Sequence, residues 1–462
     1  MNSKSALLAL VSIVVFGSSS VQAKNVILFL GDGMGVSTIT AARIFAGQQH
    51  GQSGEEYELS FDAFDNVALI KTYNTDAQVA DSAGTISAIV TGQKTRMGVL
   101  SVTPAVPRGD CQAALSNELP TILELAEEAG LASGVVSTAR ITHATPAGTF
   151  AHVPDRDWED SQMMSDEARG QGCRDIATQL VEFPHGDGVD VILGGGRANF
   201  LPTSAADPEY PEKSGRRDDG DNLIERWLGQ SNVRRYAWRA EEFNAFSPTG
   251  GHQFMGLFEP SHLQFEADRS KDPGGEPSIA EMTTFAVRQL QTNEQGFFLL
   301  VEGGRIDHAH HFSNAYRALL DTVAMDDAVR AALNLVDLAE TLILVTADHS
   351  HTLTISGYPP RGNPILGKIP QSSMAFVNPD GVVYTTLGYA NGPGYVEEYP
   401  DLSEVNTEDP NYQQVGTVPL PVETHAGEDV AAFATGKNAQ AVRGVMEQNE
   451  LFKVMHNVLF EE

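Results

Sequence analysis

The ten residues from Glu302 to His311 contain several side chains that could bind a metal ion. Asp307 and His311 are four residues apart, so both would lie on one face of a helix, as two ligands of a single zinc ion require. Glu302 ends the apolar run 297–301 just before them. A solvated loop rich in acidic residues and histidines is the alternative interpretation of this segment alone.

Other potential ligands lie beside further short apolar runs. Asp32 follows the run 28–30, Asp348 and His349 follow the run 342–345, and His425 lies beside a candidate strand at 430–434. Short apolar runs between glycines and turn residues are typical of parallel strands that are buried on both faces. Ligands bind beyond the carboxyl ends of such strands, so one α/β fold would bring together the side chains just after these ends, which are Asp32, Glu302, Asp307, Asp348 and His349.

Length and composition are typical of a large soluble enzyme. The 462 residues are 41% hydrophobic and contain neither an internal repeat nor a linker rich in Pro, Ser or charge, which favours one large domain with insertions. The net charge of −31 argues against nucleic-acid binding and against binding to an anionic membrane. A site for anionic substrates would then need local positive charge, which bound divalent metals and an arginine could supply.

The first 23 residues are typical of a cleavable signal peptide. Lys4 precedes an apolar stretch at 6–16, and small residues surround Ala23. We therefore expect a mature chain from about Lys24, in the periplasm or secreted, without a membrane span. In such a chain Cys111 and Cys173 would most simply form one disulfide, and two free thiols are the alternative.

Ser82 is the candidate nucleophile. It precedes a helix of small residues at 86–91, and a helix N-terminus stabilises a developing oxyanion or a phosphate. The alternative is that Asp81 or Ser82 is only the N-cap of that helix. No G-x-S-x-G motif surrounds Ser82, so activation by a metal is more consistent than a hydrolase triad.

Seven stretches of the chain together resemble the alkaline phosphatase family, and they resemble its animal-type members more than the enteric bacterial enzyme. The stretches are 25–35, 81–91, 140–156, 190–197, 296–318, 342–358 and 423–433. The resemblance extends along nearly the whole mature chain, and Cys111 and Cys173 fall where the animal-type group has a disulfide.

The resemblance implies a centre with two zinc ions and one magnesium ion. One zinc ion would be bound by Asp307, His311 and His425. The second would be bound by Asp32, Asp348 and His349, with Ser82 exchanging between metal and phosphate. Magnesium would be bound by the oxygen donors of Asp32, Thr145 and Glu302.

Three further residues complete the implied site. Arg156 matches the arginine that holds the phosphoryl oxygens, a task suited to its planar guanidinium. His143, beside the magnesium, and His308, on the substrate side, agree with the animal-type pattern, although Thr145 replaces the serine usual there. In the enteric enzyme these two histidines are an aspartate and a lysine.

The animal-type resemblance also implies a possible calcium site. Its matching residues are Glu209, Phe258, Glu259 and Asp272. The spacing between Glu259 and Asp272 is two residues shorter than in that group. Acidic loops without a metal are the alternative in a chain this negative.

The implied function is phosphate monoester hydrolysis at alkaline pH, through a covalent phosphoserine at Ser82. We expect a doubly wound α/β sheet with helices on both faces, including a helix at 118–129 and a tight strand-to-loop turn at 194–197. A segment rich in Gly and Pro, from about 357 to 421, would form a crown-like insertion, which in related enzymes lies at the interface of a homodimer.

Two other functions remain open from the sequence. A phosphodiesterase or sulfatase of the same superfamily is the nearest, although Ser82 lacks the C/S-x-P-x-R context of a sulfatase. A periplasmic metal-storage protein would explain the His and Asp clusters but would leave Ser82 and Arg156 without a role.

Overall fold

The computed structural model describes residues 24–370 and 381–461, so the predicted signal peptide lies outside the described residues. The strands are β1 Lys24–Gly31, β2 Asn66–Lys71, β3 Ala132–Arg140, β4 Val191–Gly195, β5 Arg234–Ala237, β6 Gln253–Leu257, β7 Gly296–Glu302, β8 Thr341–Ala347, β9 Ser350–His351, β10 Leu353–Ile355, β11 Leu387–Gly392, β12 Gly416–Pro419, β13 His425–Ala426, β14 Val430–Gly436 and β15 Gly444–Glu447. The α-helices are α1 Val36–Gln49, α2 Ser82–Thr91, α3 Cys111–Ala114, α4 Ile122–Glu128, α5 Ala144–Ala147, α6 Asp166–Gly170, α7 Ile176–Val181, α8 Leu223–Gln230, α9 Ala240–Ala245, α10 Ile279–Leu290, α11 Arg305–His311, α12 Ala315–Leu333 and α13 Glu450–Phe460.

Ten strands form the central sheet, in the order β15-β2-β14-β8-β1-β7-β3-β4-β6-β5. Every neighbouring pair from β8 to β5 is parallel. The exception is β14, which runs antiparallel to both β8 and β2. The predicted α/β class is therefore confirmed, but the parallel direction predicted for 430–434 is wrong. An apolar run can bury both faces in either direction, so its residue types alone do not fix its orientation.

Apolar side chains fill the interior on both sides of this sheet. Residues 26–30 of β1 and 297–301 of β7 are completely buried. Helices α10 and α12 pack against each other, with α10 against β3 and β7, while α13 packs against β1, α2 and α4. The predicted cover of helices on both faces is thus confirmed. No helix of the described residues combines the length and the apolar character needed to cross a membrane.

The helix predicted over 118–129 begins later, at Ile122. Pro120 disfavours helical backbone at the residue before it. Thr121 then forms a capping box, in which its hydroxyl accepts the N–H of Glu124 and the Glu124 carboxylate accepts the N–H of Thr121. These polar contacts start the helix at Ile122, four residues after the predicted start at residue 118.

Two local predictions are confirmed, and one stays open. Cys111 and Cys173 form a disulfide with Cα atoms 5.9 Å apart. Strand β4 ends in a turn at Gly196, whose φ of 98° favours glycine. Within the Gly- and Pro-rich segment, β11 and β12 form a small sheet with β10, and residues 371–380 lie outside the described residues. Its role at a dimer interface stays a prediction.

Candidate active site

Three neighbouring strands of the central sheet have acidic side chains at their carboxyl ends. Asp32 follows β1, Glu302 ends β7, and Asp348 follows β8, with β1 hydrogen-bonded between the other two. Their carboxyl ends therefore lie side by side, as the sequence predicted. All three side chains are completely buried.

The first group of potential metal ligands combines one helix with two short strands. Asp307 and His311 lie on α11, and His425 of β13 lies opposite His351 of β9 in an antiparallel pair. Ligand atoms of these four residues all lie within 4.8 Å of one another. The structure thus unites the predicted set of Asp307, His311 and His425 and adds His351.

The second group consists of Asp32, Asp348 and His349, whose ligand atoms also lie within 4.8 Å of one another. Ser82 faces this group, because its Oγ lies 3.2 Å from His349 Nε2 and 3.5 Å from Asp32 Oδ1. The N-cap of α2 is Asp81, whose side chain accepts the Gly84 N–H. Ser82 is therefore not the cap, and its hydroxyl points to the candidate metal ligands.

The third group has the hard oxygen donors expected for magnesium. Asp32 and Glu302 lie within 4.8 Å of a nitrogen of His143. Asp32 Oδ2, Thr145 Oγ1 and Glu302 Oε1 are buried and have no hydrogen-bond partner among the described residues. Buried polar atoms are nearly always paired, so these three oxygens fit a bound cation.

Arg156 lies between the nucleophile helix and His143. Its Nη1 donates to Asp81 Oδ2 over 3.1 Å, and its Nη2 donates to His143 Nε2 over 3.2 Å. The ring of His308 lies 5.4 Å from that of His143, and its Nδ1 accepts from Arg305 Nη1 over 3.2 Å. The predicted substrate-side residues therefore surround the same edge.

The charge of the centre is strongly unbalanced. Burial raises the pKa of Asp32 well above its usual range, and the nearby Asp348 raises it further. Burial also raises the pKa of Glu302, to about 8. It acts in the same direction on Asp307, but His311, His351 and His425 together outweigh it and hold the pKa of Asp307 well below the ordinary value. Divalent cations would supply the positive charge that buried carboxylates need.

Sequence reasoning missed two residues that hold the first group in place. His351 lies with Nε2 2.7 Å from Asp307 Oδ1 and Nδ1 2.5 Å from Glu423 Oε2. The backbone oxygen of Glu423 lies 2.5 Å from His311 Nδ1. The spacing of His351 two residues after His349 was the available signal. Glu423 gave none, because its partners lie far away along the chain.

The possible calcium residues form a separate group. Glu209, Glu259 and Asp272 offer oxygen atoms within 4.8 Å of one another. Asp272 belongs to this group although the spacing between Glu259 and Asp272 is shorter than in the animal-type enzymes. Its Oδ2 is a buried oxygen without a hydrogen-bond partner among the described residues. Phe258, which precedes Glu259, is buried and donates its backbone N–H to Gly194.

Known proteins resemble this chain along nearly its whole length. The alkaline phosphatase family model matches residues 23–460. The tissue-nonspecific alkaline phosphatase of Gallus gallus is 47% identical over 438 residues, which cover 92% of this chain and 82% of that protein. The human tissue-nonspecific isozyme is 46% identical over 442 residues, with coverages of 94% and 83%. Such identity with vertebrate enzymes confirms the predicted animal-type subgroup.

Solved structures show the same fold at lower identity. The alkaline phosphatase of Thermus thermophilus superimposes with a TM-score of 0.68 at 23% identity, covering 98% of this chain and 96% of that chain. The alkaline phosphatase of the Antarctic bacterium TAB5 has a TM-score of 0.62 at 22% identity, with coverages of 95% and 98%.

Proposed function

Because this chain belongs to the alkaline phosphatase family, we propose that it hydrolyses phosphate monoesters at alkaline pH through a covalent phosphoserine at Ser82. The observation that carries this mechanism is the position of the Ser82 hydroxyl. It lies at the N-terminus of α2, within 3.5 Å of both His349 Nε2 and Asp32 Oδ1. A serine oxygen placed between a helix N-terminus and metal ligands is suited to attack phosphorus.

Two zinc ions and one magnesium ion would occupy the three groups of ligands. The first zinc ion would be held by Asp307, His311 and His425, the second by Asp32, Asp348 and His349, and magnesium by Asp32, Thr145 and Glu302. When bound, these ions would supply Lewis-acid stabilisation of the attacking and leaving oxygens and would balance the buried carboxylates. His143 would lie beside the magnesium position.

Arg156 and His308 would hold the phosphoryl group for attack. The guanidinium of Arg156 can donate to two non-bridging oxygens at once, as its fork geometry allows. The Ser82 oxygen would form the new bond to phosphorus as the bond to the ester oxygen breaks, and the departing alcohol would take up a proton. Water would then attack the phosphoserine, releasing phosphate and restoring Ser82. The reactive form of Ser82 is deprotonated, which favours alkaline pH.

Calcium, export and assembly belong to the same proposal. The three carboxylates of Glu209, Glu259 and Asp272 offer the oxygen donors that calcium prefers. The signal-like residues 1–23 would direct the chain to the periplasm or outside the cell. The small sheet of β10, β11 and β12 would contribute to the crown of a homodimer.

The phosphoenzyme gives a direct test. Metal-loaded protein incubated with labelled phosphate at acid pH should retain the label covalently, and Ser82→Ala should not. Thr91→Ala, which removes a hydroxyl in the last turn of the same helix, is the matched control and should keep the label. A label that persists in Ser82→Ala would assign the nucleophile to another residue.

A further inference from the structure

We propose that His152 is a positioning residue that sets the orientation of Arg156 through a short backbone ladder. The inference rests on the proposed role of Arg156 in holding phosphate. His152 lies four residues before Arg156 and is outside the three groups of metal ligands.

Two segments, 98–101 and 152–156, form the ladder. The N–H of Leu100 donates to the Val153 oxygen over 2.9 Å, and the N–H of Val153 donates back to Leu100 over 3.1 Å. The N–H of Arg156 donates to the Gly98 oxygen over 2.9 Å. Gly98 in turn donates its N–H to Asp81 Oδ2, which also accepts from Arg156 Nη1. A shift of segment 98–101 would therefore move both the backbone and the side-chain partner of Arg156.

Ser101, at the far end of the ladder, is held in an unusual conformation. Its φ of 48° lies in the left-handed region, which costs free energy for a residue with a side chain. Its N–H donates to Ser87 Oγ over 2.8 Å, and its hydroxyl donates to the Gly148 oxygen over 2.6 Å. Since Ser87 lies on α2, the same residue connects the ladder to the helix that begins at Ser82.

The side chain of His152 connects segment 152–156 to Ser101 by a hydrogen bond. Its Nδ1 donates to the Ser101 oxygen over 2.8 Å, and its Nε2 donates to Glu124 Oε1 over 2.7 Å. Gln179 holds the backbone of His152 as well, accepting its N–H over 2.9 Å and donating to its oxygen over 3.3 Å. The imidazole is thus fixed on one side by α4 and on the other side by the ladder.

The two contacts of the His152 ring together require its protonated form, because a neutral imidazole has one N–H and both partners are acceptors. Burial lowers the pKa of His152, but the hydrogen bond and charge of Glu124, the hydrogen bond to the Ser101 oxygen and the charge of Glu118 together raise it above the ordinary value. A neutral imidazole can still keep its proton on Nδ1 and donate to Ser101. In that tautomer Nε2 faces the Glu124 carboxylate without a proton, so the neutral ring keeps only one of its two hydrogen bonds.

Two substitutions separate the contacts of His152. Gln places its amide near the position of Nε2 and can reach Glu124, whereas Asn places its amide near the position of Nδ1 and can reach Ser101. We expect His152→Gln to lower kcat/KM for an aryl phosphate about fivefold to tenfold, with a similar rise in the inhibition constant of inorganic phosphate. His152→Asn should recover most of that loss.

A double-mutant cycle with Arg156→Ala decides whether the effect passes through Arg156. In that background, His152→Gln should cause no further loss. An equal loss in both backgrounds, or no loss in either, would overturn the proposal. His185→Asn is the matched control, because its Nε2 lies 3.5 Å from Glu124 but does not touch the ladder.

A second variant covers the case in which His152→Gln does not fold. Gln179→Met removes the backbone contacts of His152 from outside the ladder, and the same cycle with Arg156→Ala applies to it. If Arg156→Ala leaves monoester hydrolysis unchanged, the proposed role of Arg156 itself is wrong. If Arg156→Ala impairs hydrolysis but the losses add, only the role of His152 is wrong.

Discussion

At the carboxyl edge of the central sheet, Asp32 and Glu302 lie buried beside histidines. At the opposite edge, the buried Glu127 and the half-buried Asp190 lie beside Ser133. These two carboxyl groups lie at the starts of two strands, since their common partner Ser133 is the second residue of β3 and Asp190 directly precedes β4. Both edges therefore bury carboxyl groups in a chain that is already strongly negative.

The two edges differ in the partners of the carboxyl oxygens. Ser133 donates hydrogen bonds to both residues at the second edge. Its hydroxyl donates to Glu127 Oε1, and its N–H donates to Asp190 Oδ2. Burial raises the pKa of Glu127 to about 9 and that of Asp190 to about 7. Asp32 Oδ2 and Glu302 Oε1 lack such partners among the described residues. Below these raised pKa values we expect protons to neutralise the second edge, whereas we expect metal ions to neutralise the first.

Metal removal should have the largest effect, and it should act at the carboxyl edge of the sheet and not at the opposite edge. Exhaustive chelation should abolish phosphatase activity, and zinc with magnesium should restore it, because the carboxylates and Ser82 need the cations. The measurement is aryl phosphate turnover against the metal content of the same sample. Full activity of protein shown to be free of metal would contradict the proposed centre.

Glu423→Gln should weaken zinc binding at the first edge about 10- to 100-fold, because residues that orient metal ligands contribute on that scale. The substitution changes the completely buried carboxylate, which contacts His351, and leaves the backbone oxygen that contacts His311 in place. Competition with a chromophoric chelator would measure the affinity. Glu428→Gln is the control, since Glu428 accepts from Ser350 Oγ in the same region. Unchanged zinc affinity in Glu423→Gln would show that the carboxylate contact to His351 does not support metal binding.

Arg156→Ala should lower kcat/KM for an aryl phosphate by at least roughly tenfold, since charge-assisted hydrogen bonds contribute about 1.5–3 kcal/mol each. A diester has one of the relevant oxygens blocked, so activity on a bis-aryl phosphate should fall far less. Both substrates would be measured at one pH and one metal load.

The same experiment separates two classes of enzyme. An equal loss on the two substrates, or a wild-type protein that prefers the diester, would contradict the monoesterase function and favour a phosphodiesterase.

Glu127→Gln should change stability only as the pH rises. The pKa of Glu127 is about 9 in the folded chain against an ordinary value of 4.5, so the folded state holds the proton more tightly. The contribution of protonated Glu127 to the free energy of unfolding is fully present below pH 4.5 and is lost progressively up to about pH 9. The variant should avoid that loss and be more stable by a few kcal/mol at pH 9.

Chemical denaturation of metal-saturated protein at several pH values measures this difference. Glu128→Gln, an exposed glutamate on the same helix, should follow the wild-type pH dependence. A constant difference between Glu127→Gln and wild type at all pH values would show that Glu127 is not protonated in the folded state.

Much of the candidate site could be predicted because it depends on local patterns. A buried strand followed by an acidic residue recurs at Asp32, Glu302 and Asp348, and parallel strands bring such ends to one edge. The helical spacing of Asp307 and His311 is equally local, and α11 has the predicted form. The ladder of Ser101 and His152 has no comparable signal, because its contacts join segments about 50 residues apart.

The sequence by itself determined the residue types at the strand ends, the nucleophile helix and the family resemblance. Only the tertiary structure decided that β14 runs antiparallel, which places the residues before its start, including His425, at the edge where parallel strands end. It also decided that His351 and Glu423 meet His311 and Asp307. Periodicity acts over a few residues, whereas strand order and direction depend on how the whole core packs, so these contacts between distant parts of the chain required the folded molecule.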